Sequence, residues 1–147
     1  MALKNYTSTV PVEKTVGEIH IMLAQHGARK IMFDYDDAGR ILAICFSIET
    51  PQGAQGIKLP ANADRVQAVL KQQKNDPKNR NRVNIDASFE QAERVAWRIV
   101  KDWLGAQLAI LETEMVEVQQ VFLPYFVNRQ GQTLFECYTA GRLMLRD

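Results

Sequence analysis

The sequence is short of the residues on which most enzyme chemistry depends. It holds two cysteines and two histidines in 147 residues. His20 and His26 are six apart, whereas a zinc pair on a helix needs i, i+4 spacing or a Cys/His cluster. Cys45 sits within an apolar run, the usual setting of a free buried thiol, and nothing points to an oxidising compartment, so no disulfide with Cys137 is expected. A nucleophile–base dyad built from these four residues has no support in their spacing. Neither G-x-x-x-x-G-K-[ST] nor G-x-G-x-x-G occurs, which removes the common phosphate-cradling loops. No apolar run approaches the ~18 residues of a membrane span. The opening "MALKNYTSTVPVEK" lacks an apolar stretch of signal-peptide length, so a cytoplasmic location is expected. Charge of one sign is also missing: the net value is +1, so a polyanion must be met by a local patch. A non-enzymatic protein with no cofactor and no metal is the expectation.

What remains is an ordinary soluble composition, with 46% apolar and 24% charged residues. At this length one core is affordable, and a single domain is expected over residues 1–147. Its sheet-rich part would span about residues 1–60 and its helical part about 61–147. "NYTSTVPV" reads as an edge strand, with Pro11 at its end. Thr15 and Glu18 have capping-box spacing, which predicts a helix starting there and stopping at Gly27. "KIMFDY", "RILAICFSIET" and "IKL", separated by turn signals, predict an antiparallel meander with Leu42, Ile44, Phe46 and Ile48 on one face. "DYDDAG" fails as a calcium loop because Ala38 and Cys45 stand where ligands are needed, and it reads as a hairpin turn.

Asn62 can cap a helix carrying Val66, Val69 and Leu70. Ser88 and Gln91 form a second capping-box pair, and apolar residues then recur at helical spacing to Met115. That predicts a helix of about 28 residues, roughly 42 Å long. Its two adjoining apolar stripes, with "VFLPYF" beyond, predict self-association into a homo-oligomer. "EVQQVFLPYF" is either a short helix ended before Pro124 or an extended arm, and "TLFECYTAGRLML" reads as a short terminal helix. The fold class is α+β: a three- or four-stranded antiparallel sheet packed on one long helix, with two or three shorter helices.

The clearest electrostatic asymmetry is "KQQKNDPKNRNR", residues 71–82, with five basic residues, one acid and no apolar side chain. Its Asn, Asp and Pro argue against regular structure. Arg94, Arg98 and Lys101 follow at helical spacing. Lys71, Lys74, Lys78, Arg80, Arg82, Arg94, Arg98 and Lys101 could therefore form one surface that binds nucleic-acid phosphates without reading sequence. The competing reading is a solvated loop, with the helical cations spent on the i, i+4 pairs Glu90–Arg94 and Arg98–Asp102.

The stretch "QAERVAWRIVKDWLGAQLAILETEMVEVQQVFLPY", with "KNYTSTV", "HGARKIMFDYD" and "GIKLP", resembles a family of small uncharacterised proteins of bacterial phages, prophages and other mobile elements. The resemblance covers most of the chain, and the long helix with its "VFLPY" tail is its most specific part. It brings no activity and no catalytic residues, and residues 71–82 lie outside the matching blocks. It implies a mobile-element protein acting in a host cell. Two roles fit that context: binding nucleic acid, or counter-defence. The latter covers an anti-CRISPR-like inhibitor of a host nucleic-acid-processing protein and a protein that sequesters a signalling nucleotide.

Overall fold

The computed structural model describes residues 2–141. It is an α+β protein with a three-stranded antiparallel sheet and, among the described residues, five α-helices. These are α1 (Val12–Gln25), α2 (Ala63–Lys74), α3 (Phe89–Glu112), α4 (Val118–Phe122) and α5 (Leu134–Thr139). The strands are β1 (Lys30–Tyr35), β2 (Ile41–Thr50) and β3 (Gly53–Pro60). Only α3 is long, at 24 residues, and no described helix is long and apolar enough to cross a membrane. The chain divides into two compact units. One holds Met1–Met22 and Ala61–Gly105, the other Leu23–Pro60 and Ala106–Asp147, so α1 and α3 each contribute to both.

In the first unit, Leu70, Ile85 and Ala92 form a buried cluster against which Leu3, Tyr6, Val66 and Ala87 pack. The N-terminal segment is not the expected strand. It turns at Asn5, which takes φ 64°, and Ser8 N–H bonds back to the Asn5 carbonyl. The acceptors that a neighbouring strand would have served are met instead by one side chain. The Gln91 amide donates to the carbonyls of Tyr6 and Ser8, each at 2.9 Å.

That use of Gln91 changes the start of α3. Ser88 Oγ accepts from Gln91 N–H, as a cap should, but the reciprocal half of the box is missing because the Gln91 amide is committed elsewhere. Asp86 takes its place, accepting from Ser88 N–H at 2.9 Å. The helix ends at Glu112, short of the expected Met115, as the chain passes through a turn with Glu114 at φ 61°. α1 likewise departs from expectation at its start. It begins at Val12, with the Pro11 carbonyl accepting from Lys14 and Thr15, so Thr15 and Glu18 lie inside the helix rather than at its cap. Asn62 caps α2 as expected, its side chain accepting from Arg65 N–H.

The second unit holds the sheet, in the order β1-β2-β3. α1 closes with Gly27 at φ 89°, and Ala28 N–H reaches back to the Leu23 carbonyl, as a glycine-terminated helix requires. The turn after β1 is built by Asp36, whose Oδ1 accepts from Ala38 and Arg40 N–H. Ile31, Phe33, Ile44, Phe46, Ile57 and Leu59 share one face through the strand register, and the β2 and β3 members of that set are buried. Leu42 does not join them. The register slips between Asp34 and Tyr35, which pairs with Ile41, and Leu42 is left 47% exposed. β3 begins at Gly53, earlier than the "IKL" expected, because Thr50 pairs directly with Gly53 across a tight turn.

The "VFLPYF" segment takes the helical alternative: α4 ends at Phe122, followed by a 3-10 turn over Leu123–Tyr125. Phe122 is fully buried and meets the Phe46 ring edge-on, centroids 5.8 Å apart. Phe126 bridges Ile57, and Val127 N–H bonds to the Gly56 carbonyl, so this segment lies along the outer edge of β3. α5 is capped by a reciprocal Thr133–Glu136 box. α5 ends at Thr139, with Ala140 at its C-cap and Gly141 at φ 76°, short of the expected terminal helix, whose residues 142–145 lie outside the described residues.

Candidate nucleic-acid interface

The basic tract is more ordered than its composition suggests. α2 continues to Lys74, with Lys71 and Lys74 in its last turn, where cations favour the negative end of a helix. Asn75 caps it, and the chain then folds over on itself in consecutive turns. Asn79 is the pivot. It is only 4% exposed, its amide donates to the Gln73 carbonyl at 3.1 Å, and its Oδ1 accepts from Asn81 N–H at 3.1 Å. Its backbone joins Asp76 on one side and Arg82 on the other. Asp76 Oδ1 accepts from Lys78 N–H, so the one acid of the tract is used in the turn. A short 3-10 helix over Arg82–Asn84 leads to buried Ile85.

The eight predicted cations separate into two groups. Lys71, Lys78, Arg80 and Arg82 are exposed, and their side chains make no ion pair among the described residues. The other four are engaged within the first unit. Lys74 Nζ donates to the Ile85 carbonyl at 2.6 Å, tying the end of α2 to the segment that precedes α3. Arg94 Nε donates to Gln91 Oε1 at 2.9 Å. Arg98 and Lys101 both converge on Glu18, at 2.9 and 3.0 Å. The i, i+4 pairs expected along α3 give way to other partners: Arg94 turns to Gln91 within the same helix, Arg98 to Glu18, and Asp102 takes Lys4 and the Asn5 amide.

The carboxylates respond accordingly. The Lys101 hydrogen bond holds Glu18 below the ordinary glutamate value against a smaller opposing effect of burial, with Arg98 adding to it. The Ser88 backbone N–H chiefly lowers Asp86, helped by the charges of Arg94 and Lys74. Burial pushes Asp102 upward, but the Asn5 amide and Lys4 outweigh it and leave it lowered. Positive charge around α3 is therefore largely matched, whereas that of the four outward residues is not.

The second unit holds an open cavity of about 570 Å³ that sequence reading did not anticipate. Its lining is mainly apolar, from Leu23, Phe46, Ile48, Leu108, Leu111, Val118 and Phe122, with His26, Arg29, Glu49 and Glu112 among its polar members. His26 Nε2 is hydrogen-bonded to Glu112 Oε1. Those residues come from well-separated stretches of chain, so no local pattern could have announced it. Among the described residues, no group of three His, Cys, Asp or Glu side chains is placed to hold a metal ion. Comparisons with protein-family models, with curated proteins and with solved structures found no match to this chain.

Proposed function

We propose that this chain is a non-enzymatic binding protein of a mobile element that contacts nucleic-acid phosphates through Lys71, Lys78, Arg80 and Arg82. The observation that supports this reading is the contrast within the tract. Its backbone is fixed around buried Asn79, while four cations project without an acidic partner. A fixed scaffold lowers the ordering cost of a phosphate contact, which a freely moving loop would have to meet at binding. Arg94, Arg98 and Lys101 are spent within the fold and add little to the surface.

Four phosphate contacts give a slope of log affinity against log salt of about −3 on single strands and about −3.6 on duplex DNA. The test is a salt titration on single- and double-stranded DNA and RNA. It compares the wild type with a variant carrying Lys71→Ser, Lys78→Ser, Arg80→Ser and Arg82→Ser. Lys74 is kept because its ammonium holds the Ile85 carbonyl. The variant should bind more weakly to all sequences alike, with a slope near zero. No binding by the wild type at ~50 mM salt, or equal slopes for the two proteins, would remove the nucleic-acid reading.

One feature favours a protein partner instead. Val83, 79% exposed, follows Arg82 in the chain, and an exposed apolar side chain in a basic tract suits a protein surface better than a phosphate backbone. Under that reading the chain is a counter-defence inhibitor of a host nucleic-acid-processing protein. Val83→Ser would then weaken partner capture while leaving any residual nucleic-acid binding unchanged.

A further inference from the structure

The two edges of the sheet are treated differently. The outer edge of β3 is bridged by Phe126 and followed by Val127. Among the described residues, β1 is hydrogen-bonded to β2 alone and forms the other edge of the three-stranded order. Such an edge presents a row of backbone donors and acceptors that a further strand can use. Side chains alternate along it. Ile31 and Phe33 point to the buried side and remain half-exposed, while Lys30, Met32 and Asp34 share the open side with Cys45 and Lys58. Met32 is 62% exposed at the centre of that open row.

We propose that β1 is the pairing edge for a second copy of this chain, joined antiparallel about a two-fold axis at Met32. Two copies of a three-stranded sheet then make one sheet of six strands. In this register Met32 faces Met32, Ile31 faces Phe33, and Lys30 of each copy faces Asp34 of the other. Opposite residues in an antiparallel pair share a face, so apolar meets apolar on the buried side and opposite charges meet on the open side.

The alternatives are poorer on the same grounds. A slip of one residue turns Ile31 and Phe33 against the polar row. Centring on Ile31 sets Lys30 against Met32. Centring on Phe33 sets Asp34 against Met32 and sends Lys30 to Asp36, whose Oδ1 is already occupied by two backbone N–H groups. Asp34 is itself 3.6 Å from Lys58 and 39% exposed at its side chain, which leaves room for a second cation. The two-fold arrangement uses each charge of the strand once per copy, so the same residues that would repel other strands select this one.

Sedimentation equilibrium on the full chain tests the register. The wild type should dimerise. Lys30→Glu sets two acids against each other at both ends of the pairing, and Asp34→Lys sets two lysines together. Each variant alone should raise the dimer dissociation constant by about tenfold or more, from the loss of two attractive cross-strand pairs and their replacement by repulsion. An equimolar mixture of the two variants restores opposite charges at both ends and should recover the dimer. A monomeric wild type at high micromolar concentration overturns the proposal. So does a dimer that neither variant weakens, or a mixture that stays as dissociated as its components. Hydrogen exchange on the wild type gives a reading that no misfolded variant can blur. The amides of residues 30–34 should become more protected as concentration rises through the dissociation constant, and unchanged protection counts against the pairing.

Discussion

Gln91 is expected to be among the most costly polar side chains of the first unit to remove. It is 5% exposed, donates to two carbonyls at 2.9 Å, and accepts from Arg94 Nε at 2.9 Å. Gln91→Ala deletes both donors and leaves the Tyr6 and Ser8 carbonyls without their partner. A buried group deprived of its partner costs about 1–3 kcal/mol, and partial entry of water relieves some of it, so the loss should be about 3 kcal/mol in total. With a urea m-value of about 2 kcal/mol/M, the midpoint should fall by about 1.5 M. The isosteric Gln91→Glu distinguishes hydrogen bonding from packing. It keeps the volume but aims a carboxylate oxygen at two carbonyls, to which it can donate only when protonated. The folded pKa of the introduced carboxyl is then raised above the ordinary value of about 4.3. The folded state binds more protons than the unfolded one, so the penalty of this substitution is fully present above the folded pKa and shrinks as pH falls through it. Urea melts of the three proteins across the acid range measure both effects. A Gln91→Ala midpoint within error of the wild type, or a Gln91→Glu variant as stable as the wild type at neutral pH, would refute the reasoning.

Two further outcomes follow from side chains whose partners are fixed. Because Lys101 and Arg98 hold Glu18 below its ordinary value, its stabilising contribution is present above the unfolded glutamate pKa and is lost as pH falls through the lower folded one. The melting temperature of Glu18→Gln should therefore decline less steeply with acidification than that of the wild type, and identical slopes would contradict this. Gly56 lies where an added Cβ would stand 2.8 Å from Val127 Cγ2, so Gly56→Ala should cost about 1–3 kcal/mol in denaturant melts, and a neutral result would mean that the 126–133 segment moves freely off β3.

The parts of the fold written in local pattern were legible from the sequence. β1 is the strand that its alternation predicts, Asn62 caps α2, and Gly27 ends α1 because the chain there needs a positive φ. What escaped was decided by partners distant in sequence. Thr, Val and Tyr at the N-terminus favour a strand, but Gln91, more than 80 residues away, supplies the donors and the segment turns instead. Glu18 has the spacing of a capping residue, yet Arg98 and Lys101 draw it into an ion pair. Leu42 alternates correctly with Ile44 and Phe46, but it is the residue of β2 skipped where Asp34 pairs with Ala43 and Tyr35 with Ile41, and it is left exposed. The candidate site divides in the same manner. The cations of residues 71–82 could be counted in advance. That Lys74, Arg98 and Lys101 are engaged within the first unit depends on a carbonyl and a carboxylate more distant in sequence, whereas Arg94 turns to Gln91 one helical turn away.

The tract around Asn79 bears on why such a cluster would be ordered at all. Four like charges over twelve residues repel one another, and a chain with no apolar side chain has no hydrophobic reason to fold. Within the tract itself the ordering comes from polar groups. Asn79 binds the chain on either side of it, Asp76 closes the turn before it, and Lys74 fastens α2 to the Ile85 carbonyl just beyond. The buried cluster of Leu70, Ile85 and Ala92 then anchors both ends of the excursion. A purely solvated linker between α2 and α3 would need none of these bonds, since Gly, Ser or Lys could span the gap at less conformational cost. Lys71, Lys78, Arg80 and Arg82 stand exposed on that frame with no ion pair among the described residues. If the proposed anionic partner is a row of phosphates, the salt slope separates it from an acidic protein face.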